Sequence, residues 1–161
     1  MYDVLDVCKY VIKYSNDKDY GISNLKLQKL LYFIQAYFLI VTEDSTPCFY
    51  EDIEAWSFGP VVPIAYERYG RFGSCDIPRE KFERIKTFNG DWIIMDVDYN
   101  IIKKVDKKKI NEVIDGLRNF GATDLTYITT HQTPWEKSYK MNGSLRNVIT
   151  IDLMKEYFVK K

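Results

Sequence analysis

The chain reads as α+β: a predominantly helical single domain over residues 1–161, with a small antiparallel β-sheet or hairpin. Three observations predict this class. Apolar residues recur at three- and four-residue spacing through most of the sequence. Period-two alternation is confined to residues 53–58 and to the flanks of Asn89-Gly90. There is no internal repeat or low-complexity tract, and 161 residues suffice to bury one core without a disulfide or a structural metal.

The first segment places Val4, Val7, Cys8 and Val11 on one helical face, with Leu5 and Ile12 beside them and the charges opposite. The stretch NDKDYG breaks it, and Ser23 is placed to cap the next helix. That second helix carries two apolar stripes. Leu27, Leu30, Leu31, Ile34, Phe38 and Val41 form one; Leu25, Tyr32, Ala36 and Leu39 lie nearly opposite. A helix apolar on two faces belongs at the centre of its domain. Gln28 and Gln35 fall together between the stripes. Partly buried amides need partners there, either a neighbouring backbone or a bound molecule.

Residues 53–58 alternate as a short strand, which Gly59-Pro60 is expected to stop. Pro63 opens a short helix that runs to Gly73. Asn89-Gly90 predicts a hairpin whose second strand is Trp92 to Val97. Residues 78–86 read either as its first strand or as a helix starting after Pro78. From Asp106, taken as N-cap, the residues Ile110, Val113, Ile114, Leu117 and Phe120 repeat on one helix face up to Gly121. Thr123 then caps a short helix through Thr130. Thr133 to Glu136, TPWE, has the form of a capping box with proline at the first helical position. Thr150 caps a last helix.

Composition weighs against several classes of function. The 23 basic and 23 acidic residues balance, so the basic excess of a dedicated nucleic-acid binder is missing. Thirteen tyrosines suit wet core edges and protein surfaces alike. Cys8, Cys48 and Cys75 are odd in number and widely spaced, which indicates neither a disulfide framework nor a zinc site. The N-terminal segment interleaves Asp3, Asp6, Lys9 and Lys13 with its apolar residues, unlike a signal peptide or anchor. Leu30 to Val41 is too short to span a bilayer. A soluble, cytoplasmic protein with no membrane partner is expected.

No enzyme is legible. His131 is the single histidine, and nothing near any cysteine indicates an activated nucleophile. Glu51, Asp52 and Glu54 are unspecific carboxylates, and no phosphate-binding glycine motif occurs. No catalytic residue, metal or cofactor is expected. The run KKVDKKK is the one charge cluster. With Asp106 as N-cap, Lys107, Lys108 and Lys109 fill the first turn, where the helix dipole disfavours cations. That placement suits either a solvated helix start or an electrostatic contact with an acidic surface or a phosphate backbone.

Four segments resemble a known family. ISNLKLQKLLYFIQAYFL, IEAWSFGPVVPIAYERY, ITTHQTPWEKS and the closing NVITIDLMKEYF are similar, in order, to the signature segments of the Panacea domain family, also called SocA-like antitoxins or phage-associated GepA-like proteins. The resemblance runs from about residue 3 to residue 158. No helix-turn-helix region is appended, so the chain reads as the bare domain. The resemblance implies a non-catalytic antitoxin of phage, prophage or bacterial origin that neutralises a cognate toxin by direct binding. One branch of the family delivers its toxin to a host protease. The alternative is a phage accessory protein that binds nucleic acid or a host protein.

On that reading Trp56, Phe58 and Tyr66 are the candidate anchors, because hot spots are rich in large aromatic residues. Their other role is core packing. Arg68 is a candidate partner for an acidic group. Gln28, Lys29, Gln35, His131 and Trp135 are further candidates from the same signature segments.

Overall fold

The computed structural model describes residues 1–160. Helix α1, Val4–Asp17, is capped by the Asp3 carboxylate, which accepts from the Leu5 amide at 2.7 Å. It buries Val4, Val7, Cys8, Val11 and Ile12. Helix α2, Asn24–Val41, is capped by Ser23 and buries residues on both of its apolar stripes. Its centrality is literal. It packs against α1, against β2 (Gly59–Val61), α3 (Pro63–Arg68) and α4 (Lys104–Gly116), and against α5 (Ala122–Thr130) and α7 (Ile151–Phe158).

Beside α2 lies a three-stranded antiparallel sheet of order β2-β1-β5, with β1 at Ile53–Trp56 and β5 at Asn147–Ile149. Gly59-Pro60 does not stop a strand here. It begins the returning one: Trp56 pairs with Gly59 across a two-residue turn, Ser57-Phe58, and Ala55 pairs with Pro60. Pro60 is tolerated because β2 is the edge strand. Strand β5 pairs Ile53 with Ile149 and Ala55 with Asn147. At three residues it is too short to display alternation in sequence.

Helix α3 is followed by a 3₁₀ turn at Gly70–Phe72 and by Gly73, whose φ is 56°. Strands β3, Phe82–Lys86, and β4, Trp92–Asp96, form a separate two-stranded hairpin, so residues 82–86 take the strand reading. Helix α4 begins at Lys104, two residues before Asp106, with Lys103 at the N-cap. Asp106 sits in the first turn, where the dipole favours it. Lys107, Lys108 and Lys109 are thereby displaced into the second turn, and the dipole cost expected for them falls away. The helix ends at Gly116, not Gly121. Gly121 instead starts α5, its amide donating to the Asp124 carboxylate at 2.9 Å. Helix α6, Thr133–Ser138, has Gln132 at its N-cap and no side-chain cap. The Glu136 amide donates to the Gln132 carbonyl, so the capping box expected of TPWE is absent. Helix α7 is capped by Thr150 as its sequence indicates.

Candidate protein-interaction site

The second signature segment wraps one end of α2, and polar groups buried on that helix dictate its path. The Gln28 Oε1 accepts from the Val62 amide at 3.0 Å, while its Nε2 donates to Asn24 Oδ1. Asn24 in turn donates to the Tyr66 carbonyl at 2.9 Å. Lys29 Nζ donates to the Pro60 carbonyl at 2.9 Å. Three consecutive contacts thus hold residues 60, 62 and 66. Gln35 does the same for the next segment, with Oε1 accepting from the Cys48 and Phe49 amides and Nε2 donating to the Phe49 carbonyl.

Gln28, Lys29 and Gln35 are at most 1% exposed. They satisfy backbone groups and offer no surface of their own, which places them in the framework of the site. Burial alone holds the Lys29 ammonium down to about 7, far below an ordinary lysine. Gly59 makes its approach possible. A Cβ there would stand 2.9 Å from Lys29 Cε and 3.0 Å from Thr129 Oγ1, and the φ of 106° favours glycine.

On this scaffold three aromatic rings converge. Trp56 and Phe58 are edge-to-face with centroids 5.7 Å apart; Trp56 and Tyr66 are at 5.3 Å, and Phe58 and Tyr66 at 5.7 Å. All three are half-buried. They line a surface cleft of about 410 Å³ together with Ser57, Tyr139, Leu145 and Arg146. Phe58 and Tyr66 also line a neighbouring hollow of about 260 Å³ on the α2 side. Arg146 lies one residue before β5, at the register position opposite Trp56, and its guanidinium carbon is 4.3 Å from the indole centroid. Trp135 lies beneath the rim. Its indole donates to the Trp56 carbonyl at 2.8 Å, and its ring stacks on Tyr139 at 4.3 Å.

The remaining candidates fall elsewhere. Arg68 is held by Glu80 at 3.0 Å, so its charge already has a carboxylate. His131 ends α5 with Nδ1 2.6 Å from the Tyr127 carbonyl and its ring 4.1 Å from that of Tyr127. The Cys8 and Cys48 thiols are buried, and desolvation pushes both well above the ordinary range. The three lysines do not form one stripe. Lys107 lies over Tyr10, Lys109 bonds Asp106 at 2.9 Å, and Lys108 is exposed. Sequence reasoning missed Tyr139, Leu145 and Arg146. Pairing of β5 with β1 brings Arg146 to the cleft, and Tyr139 arrives stacked on Trp135, whose indole bonds the Trp56 carbonyl.

Residues 27–136, from α2 through the start of α6, match the family described as antitoxin SocA-like, Panacea domain. The chain belongs to the SocA-like Panacea domain family. The match contains Trp56, Phe58 and Tyr66 as well as the Gln28–Lys29 bracket beneath them. A curated relative, Antitoxin SocA of Caulobacter vibrioides (strain NA1000 / CB15N), is 46% identical over 55 residues. That stretch covers 34% of this chain and 28% of the relative. No solved structure matches. Among the described residues, no helix of this Panacea domain is long and apolar enough to cross a membrane.

Proposed function

We propose that this Panacea domain is a non-catalytic antitoxin, that it neutralises a protein toxin by direct binding, and that the toxin docks on the Trp56–Phe58–Tyr66 cleft. The observation that carries the reading is the convergence of three half-buried rings on a concave surface whose backbone is held by buried polar groups. Such a surface loses little entropy on binding, because its anchors are already in place. The name of the curated relative supports the antitoxin role. Three thiols, free among the described residues, support a cytoplasmic setting.

Masking a toxin calls for a standard interface, roughly 1,600 Å² in total, so the cleft is its centre and the surrounding rim supplies the rest. The test is growth of bacteria expressing the adjacent open reading frame, alone and together with this chain. Toxicity rescued by co-expression is expected. Truncation of a true anchor, by Trp56→Ala, Phe58→Ala or Tyr66→Ala, should weaken toxin binding by at least about 2 kcal/mol. If all three variants fold and neutralise fully, the cleft is not the docking site. Rescue that disappears in a protease-deficient host would assign this chain to delivery for degradation; rescue that persists would assign it to occlusion.

A further inference from the structure

The β3–β4 hairpin stands apart from this site, and its two edges are chemically unlike. Edge β3 carries Glu83, Arg84 and Lys86, the charges that keep an open edge from pairing. Edge β4 reads Trp-Ile-Ile-Met-Asp, without lysine, proline or glycine, and every one of its residues is exposed. Apart from the ladder to β3, no backbone hydrogen bond ends on Trp92–Asp96 among the described residues. Ile94 is 73% exposed and Trp92 58%. An isolated two-stranded hairpin is marginal in water, and an open apolar edge is a template for another strand.

The unpaired charges on one face of the ribbon indicate which strand. Phe82, Arg84, Lys86, Trp92, Ile94 and Asp96 share that face, as their cross-strand pairing requires. Arg84 and Lys86 both lean over the Trp92 ring, 5.0 and 5.9 Å from its centroid. Among the described residues, Arg84, Lys86 and Asp96 form no ion pair.

We propose that β4 pairs antiparallel with β4 of a second copy of this chain, about a two-fold axis at Ile94, to give a continuous four-stranded sheet. In that register Ile94 faces its own counterpart and Ile93 faces Met95. Asp96 of each copy falls opposite Trp92 of the other, beside the two cations already stacked on that indole. The three unpaired charges are thereby matched twice, and no like charges face each other. This pairing is independent of how the cleft is used.

Sedimentation equilibrium of the full chain over a wide dilution series tests it. A reversible dimer is expected. Asp96→Lys should weaken it roughly tenfold, as should Arg84→Glu with Lys86→Glu, since each removes a pair duplicated by symmetry. Combining all three substitutions should restore association towards wild type. In a Cys75→Ser background, Ile94→Cys should cross-link to itself on oxidation, while Phe88→Cys at the hairpin tip should not. These residues are exposed, and circular dichroism checks that each variant stays folded. A monomer at every concentration, or a dimer indifferent to the charge exchange, overturns the proposal. So does a dimer in which Ile94→Cys fails to cross-link.

Discussion

Two surfaces of this domain expose clustered aromatic residues, and they are supported in opposite ways. Beneath Trp56, Phe58 and Tyr66 lies α2, whose buried Asn24, Gln28 and Lys29 each bond into the loop and helix that carry the rings. Beneath the β3–β4 hairpin such supports are few among the described residues. Beyond its own ladder, it is tied to the body by the Lys9–Glu83 ion pair at 2.6 Å, and its base by the Arg68–Glu80 ion pair at 3.0 Å and the Tyr99 hydroxyl on the Glu80 carbonyl. An aromatic surface backed by satisfied buried polar groups is rigid before any partner arrives. One carried on a two-stranded ribbon is stabilised chiefly by what covers it. Exposed apolar area is therefore not enough to describe an interface; its foundation matters as much.

Substitutions in the two foundations should separate them. The largest effect is expected at Gly59. Alanine there would hold a positive φ and press on Lys29 and Thr129, costing about 3 kcal/mol in urea unfolding. Next comes Gln28→Ala, which strips the Val62 amide of its acceptor and should cost about 2 kcal/mol. Equal stability of both variants to wild type would show that the cleft is not founded on α2 in this way.

Lys29 sharpens the comparison through pH. Below pH 7 the amine is charged in both states, and the folded protein bears the full cost of burying it. Between its folded value of about 7 and the ordinary 10.5, the unfolded chain binds the extra proton. Stability should therefore rise as pH increases through that window, by up to about 1.4 kcal/mol per pH unit. Urea midpoints from pH 6 to pH 9 should climb for wild type and flatten for Lys29→Met. An unchanged slope in the variant would remove Lys29 as the source. The smallest effect belongs to the hairpin: Trp92→Ala should change the monomer's stability by less than about 0.5 kcal/mol, because the side chain leaves no cavity. A loss as large as that at Gln28 would mean that the ribbon, too, is part of the foundation.

Much of the architecture was legible residue by residue, because the signals are local. The three- and four-residue spacing of Val4, Val7, Cys8 and Val11 marks α1. The two stripes on α2 mark it as central, and the gap between them marks Gln28 and Gln35 as buried amides in need of partners, whose identity only the structure gives. Ser23 and Thr150 cap as their chemistry dictates, and Asn89-Gly90 turns a hairpin. The aromatic candidates Trp56, Phe58 and Tyr66 came from the resemblance of their segment to the family, and the structure shows their rings in contact.

Helix ends were less so. At Gly121 the neighbouring Thr123 offers a competing cap, and at Lys103 helix α4 starts without a side-chain cap, two residues before Asp106. What only the tertiary structure decided is everything that depends on contacts between distant residues. Gly59-Pro60 became a returning strand because β1 had an edge to offer. β5 acquired its identity from pairing with β1, roughly ninety residues away in sequence. Through that pairing Arg146 came to lie on Trp56, while Tyr139 reached the cleft at the end of α6, stacked on Trp135. A three-residue strand has no period to read, and a cation has no way to advertise the ring it will cover. Side-chain periodicity is written along the chain, whereas the partner of each face is set by how the whole chain closes.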